Sequence, residues 1–169
     1  VDTDLLLGAW RDAPEDRYDF SRADQRLEVK SSAGEIRKHR FSLEQLSPPS
    51  GVDLFITSVR TERTSGGLSV ADLLDQVREQ VSDIELAFKA SQIVAETLGD
   101  AGIDRVSETR FDPQVAEESF RPQEIPTPPR EIPPTVTNVK FTADLSHSNP
   151  VNLEELVGAP GIIGVLARR

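Results

Sequence analysis

Asp19, Glu28 and Lys30 are the residues in this chain whose types and spacing could carry chemistry. In a β-strand, side chains at i and i+2 share a face, so Glu28 and Lys30 point together while Val29 turns into the core. An aspartate arriving from a neighbouring short strand, Asp19, adds a second carboxylate. Hard oxygen ligands from Asp19, Glu28 and the Val29 backbone carbonyl suit Mg²⁺, with Mn²⁺ as the alternative, and leave positions for water and phosphate oxygens. Such an ion is a Lewis acid on a phosphate and lowers the pKa of a water. Lys30 would orient that water or stabilise negative charge on phosphorus. Clustered carboxylates repel one another, so the site is unfavourable without either the cation or Lys30. The plain alternative is a Glu/Lys pair on a solvated sheet face, which needs no ligand.

The surrounding pattern predicts the elements that would hold these side chains. Tyr18-Asp19-Phe20 is a short strand candidate, and Arg26 to Lys30 alternates polar and apolar residues, as a half-buried strand does. Ser31 to Gly34 supplies turn residues, and Ile36 to Leu43 is expected to be the antiparallel partner of the preceding strand. Val52 to Val59 has the β-branched and aromatic density of a central strand. Thr64 to Gly67 reads as a loop. Ser69 with Asp72, and Ser82 with Glu85, mark the starts of two helices. Their apolar stripes read as core-facing, and Gly99 suits a C-terminal cap. Arg105–Phe111 and Val115–Phe120 are expected to form a hairpin. Six of the chain's 12 prolines fall between Arg121 and Pro134, an extended connector. Val136 to Leu145 reads as a further strand, and Asn152 with Glu155 as the cap of a short helix.

With 169 residues, 37% hydrophobic and 28% charged, the chain has the composition of one globular domain. It reads as a single unit over residues 1–169, with a core at about 10–100 and a C-terminal extension that includes the 121–134 connector. No apolar run approaches the roughly 20 residues of a membrane helix. Zero Cys excludes a disulfide scaffold, a zinc ribbon and a cysteine nucleophile, and two His make a histidine-built metal site a poor fit. No secretory signal is visible, so a cytoplasmic location is expected. The start at Val1 and the lack of Met lead us to expect either upstream residues or a non-ATG start written as Val. The net charge of -10 argues against nucleic acid when taken whole. Locally it does not: residues 17–63 hold nine Arg/Lys against seven acids, so +2 there leaves -12 elsewhere.

Trp10, Asp19-Phe20, Leu27-Glu28-Val29-Lys30-Ser31, His39-Arg40-Phe41-Ser42 and Glu44-Gln45-Leu46 follow one another with compact spacing. This order resembles the PD-(D/E)XK nuclease superfamily, and in particular a bacterial group known only by that motif and often found with restriction or phage-defence genes. The resemblance runs from Trp10 to Leu98 and continues weakly through Ile132 to Leu145. It implies an α/β, restriction-endonuclease-like fold with a mixed central β-sheet flanked by helices. It also implies that Asp19 is the motif aspartate, Glu28 the second acidic ligand, Lys30 the motif lysine, and Gln45 a glutamine that positions substrate or water. Tyr18 replaces the motif proline, which is no ligand. Many members also supply a glutamate from a helix before the aspartate strand. The chain is expected to begin too late for that helix, with Asp2, Asp4 and Asp12 as poor substitutes.

The activity implied is a Mg²⁺-dependent DNA endonuclease of a restriction or defence system. DNA is the expected partner, with other defence subunits and a homodimer as further candidates, and no membrane. A nuclease-like DNA-binding or assembly subunit with an incomplete site is the competing expectation, and an unrelated interaction domain the third. Arg37-Lys38-His39-Arg40 is either a DNA-backbone contact or a solvated strand edge. His39 reads as a surface residue, Trp10 as core, Ser31 and Ser32 as turn residues, and His147 has no role. No Gly-rich phosphate loop, GxSxG or HExxH motif occurs.

Overall fold

Two strands rich in buried side chains, Gln25–Ser32 and Asp53–Arg60, run side by side in parallel and form the centre of the molecule. A computed structural model describes residues 2–103 and 105–168. In chain order the elements are α1 (Thr3–Ala9), β1 (Phe20–Arg22), β2 (Gln25–Ser32), β3 (Lys38–Ser42), β4 (Asp53–Arg60), β5 (Arg63–Ser69), α2 (Val70–Gln80) and α3 (Ile84–Ile103). They continue with β6 (Arg110–Phe111), α4 (Pro113–Ser119), β7 (Arg121–Gln123), β8 (Lys140–Asp144), a 3₁₀ turn (Leu153–Leu156) and α5 (Gly161–Leu166). The central sheet has four strands in the order β1-β2-β4-β7, antiparallel at both edges and parallel in the middle, so it is the expected mixed sheet.

The period-2 alternation of β2 and β4 divides the sheet into two faces. Leu27 and Val29 lie on one face and pack with Ala9 of α1, Phe55 of β4 and Ile162 of α5. Ile56, paired in register with Glu28, lies on the other and packs with Phe41 of β3 and Leu145 just after β8. Full burial of such side chains contributes about 1.5–3 kcal/mol each. The second face is covered by a two-stranded β3–β8 ribbon, with the end of α4 meeting Arg37 beside it.

Several expectations are corrected here. The partner of β3 is β8, with Phe41 opposite Phe141, and not β2. Local sequence favoured the nearest strand, whereas pairing across about a hundred residues buries both phenylalanines. Thr64 to Gly67 is part of β5, which pairs with β6, and a side chain at Gly67 would collide with the Phe111 carbonyl. Residues 115–119 are helical rather than part of a hairpin, because Asp112 caps Gln114 and Val115 and Pro113 begins the helix. The second helix is capped one residue later than Ser82, by Asp83. Gly99, expected as a C-terminal cap, does interrupt the helix with a φ of 62°, and a second helical segment follows it to Ile103.

The Ser69–Asp72 capping box is present, with Arg110 adding a bond to Asp72. However, α2 contributes no buried residue to the core. It rests on α3 and β5 at the periphery, and Leu73 is 41% exposed. The α3 stripe does reach inward through Ala90 and Ile93. Of the connector expected over 121–134, residues 121–123 instead form β7 and residues 124–133 hold no helix or strand, while the strand expected over 136–145 is limited to β8. Asn152 caps the 3₁₀ turn. Among the described residues no helix is long and apolar enough to cross a membrane.

Candidate active site

Asp19 sits in the bend immediately before β1, one residue outside the strand expected to hold it. β1 ends its pairing at Phe20 opposite Leu27, which leaves the Val29 N–H without a strand partner on that side. The Asp19 side chain takes its place: Oδ2 accepts a hydrogen bond from Val29 N–H at 2.8 Å. In a strand the N–H and C=O of one residue point the same way, so the Val29 carbonyl is turned toward the Asp19 side of β2. Arg11 Nη1 lies 3.5 Å from Asp19 Oδ1 and holds the carboxylate from the other side.

Glu28 is buried, at 5% exposure, on the face covered by the β3–β8 ribbon. Its Oε1 accepts hydrogen bonds from Lys30 Nζ at 2.6 Å and from Gln45 Nε2 at 2.9 Å. The expected sharing of a face by Glu28 and Lys30 is thus a direct contact. Lys30 Nζ also stands 5.3 Å from the centre of the Phe41 ring, a cation–π position that limits its swing. Burial pushes the Glu28 carboxyl above its ordinary range, and the nearby Asp19 charge pushes it the same way; Lys30 and the Asp19 N–H oppose both only in part.

Gln45 is delivered by the turn after β3. Ser42 and Gln45 bond reciprocally, Ser42 N–H to Gln45 Oε1 and Gln45 N–H to Ser42 Oγ, each at 3.1 Å. That leaves Gln45 Nε2 to reach Glu28 and the Arg17 carbonyl. Gln45 also lines an open cleft of about 380 Å³, together with Arg17, Arg40, Phe41 and Lys140. Acidic Glu15 and Asp16 line it too.

The structure therefore brings Asp19, Glu28, Lys30 and Gln45 together around Val29. A helix does precede the aspartate, contrary to expectation, but α1 carries no glutamate. Asp2 caps α1, Asp4 accepts from Ser82 N–H, and Asp12 pairs with Lys89 at 2.6 Å, so all three have other partners. Among the described residues no group of three or more His, Cys, Asp and Glu gathers where it could hold a metal ion. Two carboxylates and a backbone carbonyl remain as the oxygen donors. Burial first and the Asp19 charge second raise Glu28, and two carboxylates with a carbonyl are the donor types that a hard divalent cation takes.

His39 is corrected from a surface residue to a buried one, at 3% exposure. Alternation along β3 turns Arg37, His39 and Phe41 inward and Lys38 and Arg40 outward. Arg37 Nη1 donates to Ser58 Oγ at 2.8 Å and His39 Nε2 is 2.8 Å from that same oxygen. Since Ser58 Oγ accepts from Arg37, its own proton is free to go to a neutral His39. Burial holds His39 below the usual imidazole range, and Lys30 and Arg37 add to this. The basic run is thus half structural and half exposed. Trp10 is half-buried and stacks on Phe20 at 6.4 Å. The Arg37–Ser58–His39 set was not singled out in the sequence, although its period-2 spacing was there to be read.

No curated protein and no solved structure matches the chain significantly. A family model described as "Putative PD-(D/E)XK family member, (DUF4420)" matches residues 2–146. That stretch takes in every strand from β1 to β8 and all four clustered side chains, and the chain belongs to this PD-(D/E)XK family.

Proposed function

We propose that the chain is a divalent-metal-dependent DNA endonuclease acting in a bacterial restriction or defence system. The observation that carries this reading is the convergence on one segment of β2. Asp19 is bonded to Val29 N–H, while Lys30 and Gln45 share a single oxygen of Glu28. Asp19, Glu28 and the Val29 carbonyl would hold Mg²⁺ or Mn²⁺. When bound, such an ion supplies Lewis-acid polarisation of a phosphoryl oxygen and neutralises charge.

The chain's own residues supply the rest. Lys30 Nζ, a hydrogen-bond donor beside the carboxylates, stabilises negative charge as it builds on the phosphoryl group and can orient a water for attack. Gln45 fixes which way the Glu28 carboxylate faces. Arg17, Arg40 and Lys140 line the adjoining cleft, where they offset phosphate charge despite the chain's net charge of -10. The test is Mg²⁺-dependent cleavage of plasmid DNA by wild type, Asp19→Ala and Lys30→Ala. Cleavage is expected for wild type alone, and undiminished cleavage by both variants rejects the assignment.

A second reading is favoured by one observation: among the described residues α1 contributes no glutamate, and Asp19 and Glu28 are the acidic side chains gathered at the site. On that reading the chain is a DNA-binding or assembly subunit with an incomplete site. Calorimetric titration with Mn²⁺ separates the two. Binding lost in Glu28→Ala supports the nuclease, and no binding to wild type supports the subunit.

A further inference from the structure

We propose that a pocket formed by Arg37, Arg60 and Arg121 binds a backbone phosphate of the polynucleotide beside the Asp19–Glu28–Lys30 cluster. This deepens the nuclease reading and rests on it. Sheet register provides the first support. Lys30 of β2 is opposite Ser58 of β4, and Ser58 is opposite Arg121 of β7, so the three form one row on one face. Two strand spacings put Arg121 about 10 Å from Lys30 along that row. Arg60, two residues beyond Ser58, shares the face and is the diagonal neighbour of Arg121.

Arg37 comes from the covering ribbon and is 5% exposed. Its hydrogen bonds go to the Ser58 carbonyl and hydroxyl, at 2.9 and 2.8 Å, and to the Ser119 carbonyl at 2.7 Å. All of these acceptors are neutral. The three arginines line a pocket of about 220 Å³, with Ser119 and Glu118 also in its wall. The acids nearby are weakly engaged: Glu62 is 3.6 Å from Arg60 and 57% exposed, and exposed Glu118 is bonded to Gln114. Exposed pairs of this kind contribute little.

A structural tie between β3, β4 and α4 accounts for Arg37, but not for the convergence of Arg60 and Arg121 on it. Burial first, then the charges of Arg121 and Arg60, holds Arg37 below its ordinary pKa, in keeping with the crowding of the three cations. Arginine forks match phosphate oxygens in pairs, so an oxyanion of that geometry relieves the repulsion and satisfies the site.

The experiment compares the full chain with an Arg60→Ala/Arg121→Ala variant; Arg37 is left in place because its bonds hold the fold. Inorganic phosphate is the first probe, read by thermal unfolding. A short fluorescein-labelled DNA oligonucleotide, followed by anisotropy in EDTA, is the second. Millimolar phosphate is expected to raise the melting temperature of wild type and not of the variant. The variant's Kd for the oligonucleotide is expected to rise about tenfold, with the slope of log K against log salt reduced by about one. Equal stabilisation of both proteins by phosphate overturns the pocket. Phosphate stabilisation lost in the variant, with DNA affinity unchanged, overturns the polynucleotide assignment in favour of free phosphate. Cleavage by the Asp19 and Lys30 variants is scored separately, so failure of either reading is visible by itself.

Discussion

Asp19 is fastened to the backbone of β2 between Glu28 and Lys30, with its Oδ2 2.8 Å from the Val29 nitrogen. One carboxylate oxygen thus serves the sheet, and the aspartate's placement relative to Glu28 and Lys30 follows from strand geometry. Asp19→Asn can keep an oxygen acceptor for that N–H while removing the charge. Mg²⁺-dependent DNA cleavage is expected to fall about 10²–10³-fold in Asp19→Asn, with a circular-dichroism melt close to wild type. A normal rate in this variant would show that the charge at position 19 has no part in catalysis.

Glu28 titrates above the ordinary glutamate value of 4.5 because it is buried and faces Asp19. Between the ordinary value and the raised one the folded protein holds a proton that the unfolded chain has released. Stability attributable to this group is therefore lost as pH rises through that interval. In Glu28→Gln the loss is removed, so, once the opposite His39 contribution common to both proteins is subtracted, urea midpoints at pH 7.5 and pH 5 should differ less than in wild type. Mn²⁺, added at pH 7.5, should stabilise wild type and leave Glu28→Gln unchanged.

The sign reverses at His39. Burial, Lys30 and Arg37 keep its folded pKa below 6.5, with Asp144 opposing. The unfolded chain then takes up a proton that the folded chain refuses, and stability falls as pH drops below the ordinary imidazole value. His39→Gln keeps an acceptor for the Ser58 hydroxyl and cannot titrate. Its urea midpoint should be nearly the same at pH 7.5 and pH 5.5, once the Glu28 contribution common to both proteins is subtracted. An undiminished acid-side loss in this variant would place the proton uptake elsewhere.

Gln45 touches Glu28, so on the proposed nuclease reading it acts as a positioning residue. Loss of such a partner typically weakens metal affinity 10–100-fold. Gln45→Ala should therefore shift the Mg²⁺ concentration for half-maximal cleavage upward by about that factor, with a smaller change in the rate at saturating Mg²⁺. An effect on the saturated rate alone would instead assign Gln45 a direct role in the reaction.

How much of this was legible in the sequence depends on whether the signal was local. The alternation in Arg26–Lys30 and the apolar density of Val52–Val59 identify β2 and β4, and their side-chain faces follow from period 2. Ser69 with Asp72 marks a helix start that the structure keeps in full. Pairings were not local. Nothing near residues 38–42 indicates that their partner lies at residues 140–144, and proximity pointed to β2 instead. The Gly-rich β5 has weak intrinsic preference for a strand and is held there by β6. In α4, by contrast, the helix start is local, with Asp112 as cap and Pro113 in the first turn, where a hairpin strand was expected.

The depth of His39 shows the same limit from the side of the site. A histidine flanked by Lys38 and Arg40 looks solvated until the covering ribbon is known to lie over Ser58. The clustering of Asp19, Glu28 and Lys30 needed only the strand period and one neighbouring segment. Gln45 came from family likeness, and its contact with Glu28 depends on the turn that follows β3.

The β3–β8 ribbon means that the wall over Glu28 is made from two distant stretches of chain, residues 38–42 and 140–144. A protein cut at residue 100 would keep all four clustered side chains yet lose β7 and β8, exposing Ile56 and Phe41 to water and releasing the hold on β3. Nicking within the extended segment 124–139 is different: both halves of the wall survive and can stay docked through Phe41, Phe141 and Leu145. Shortening and nicking the same polypeptide thus have opposite consequences for the wall over Glu28, which makes residues 140–144 an architectural component of that wall.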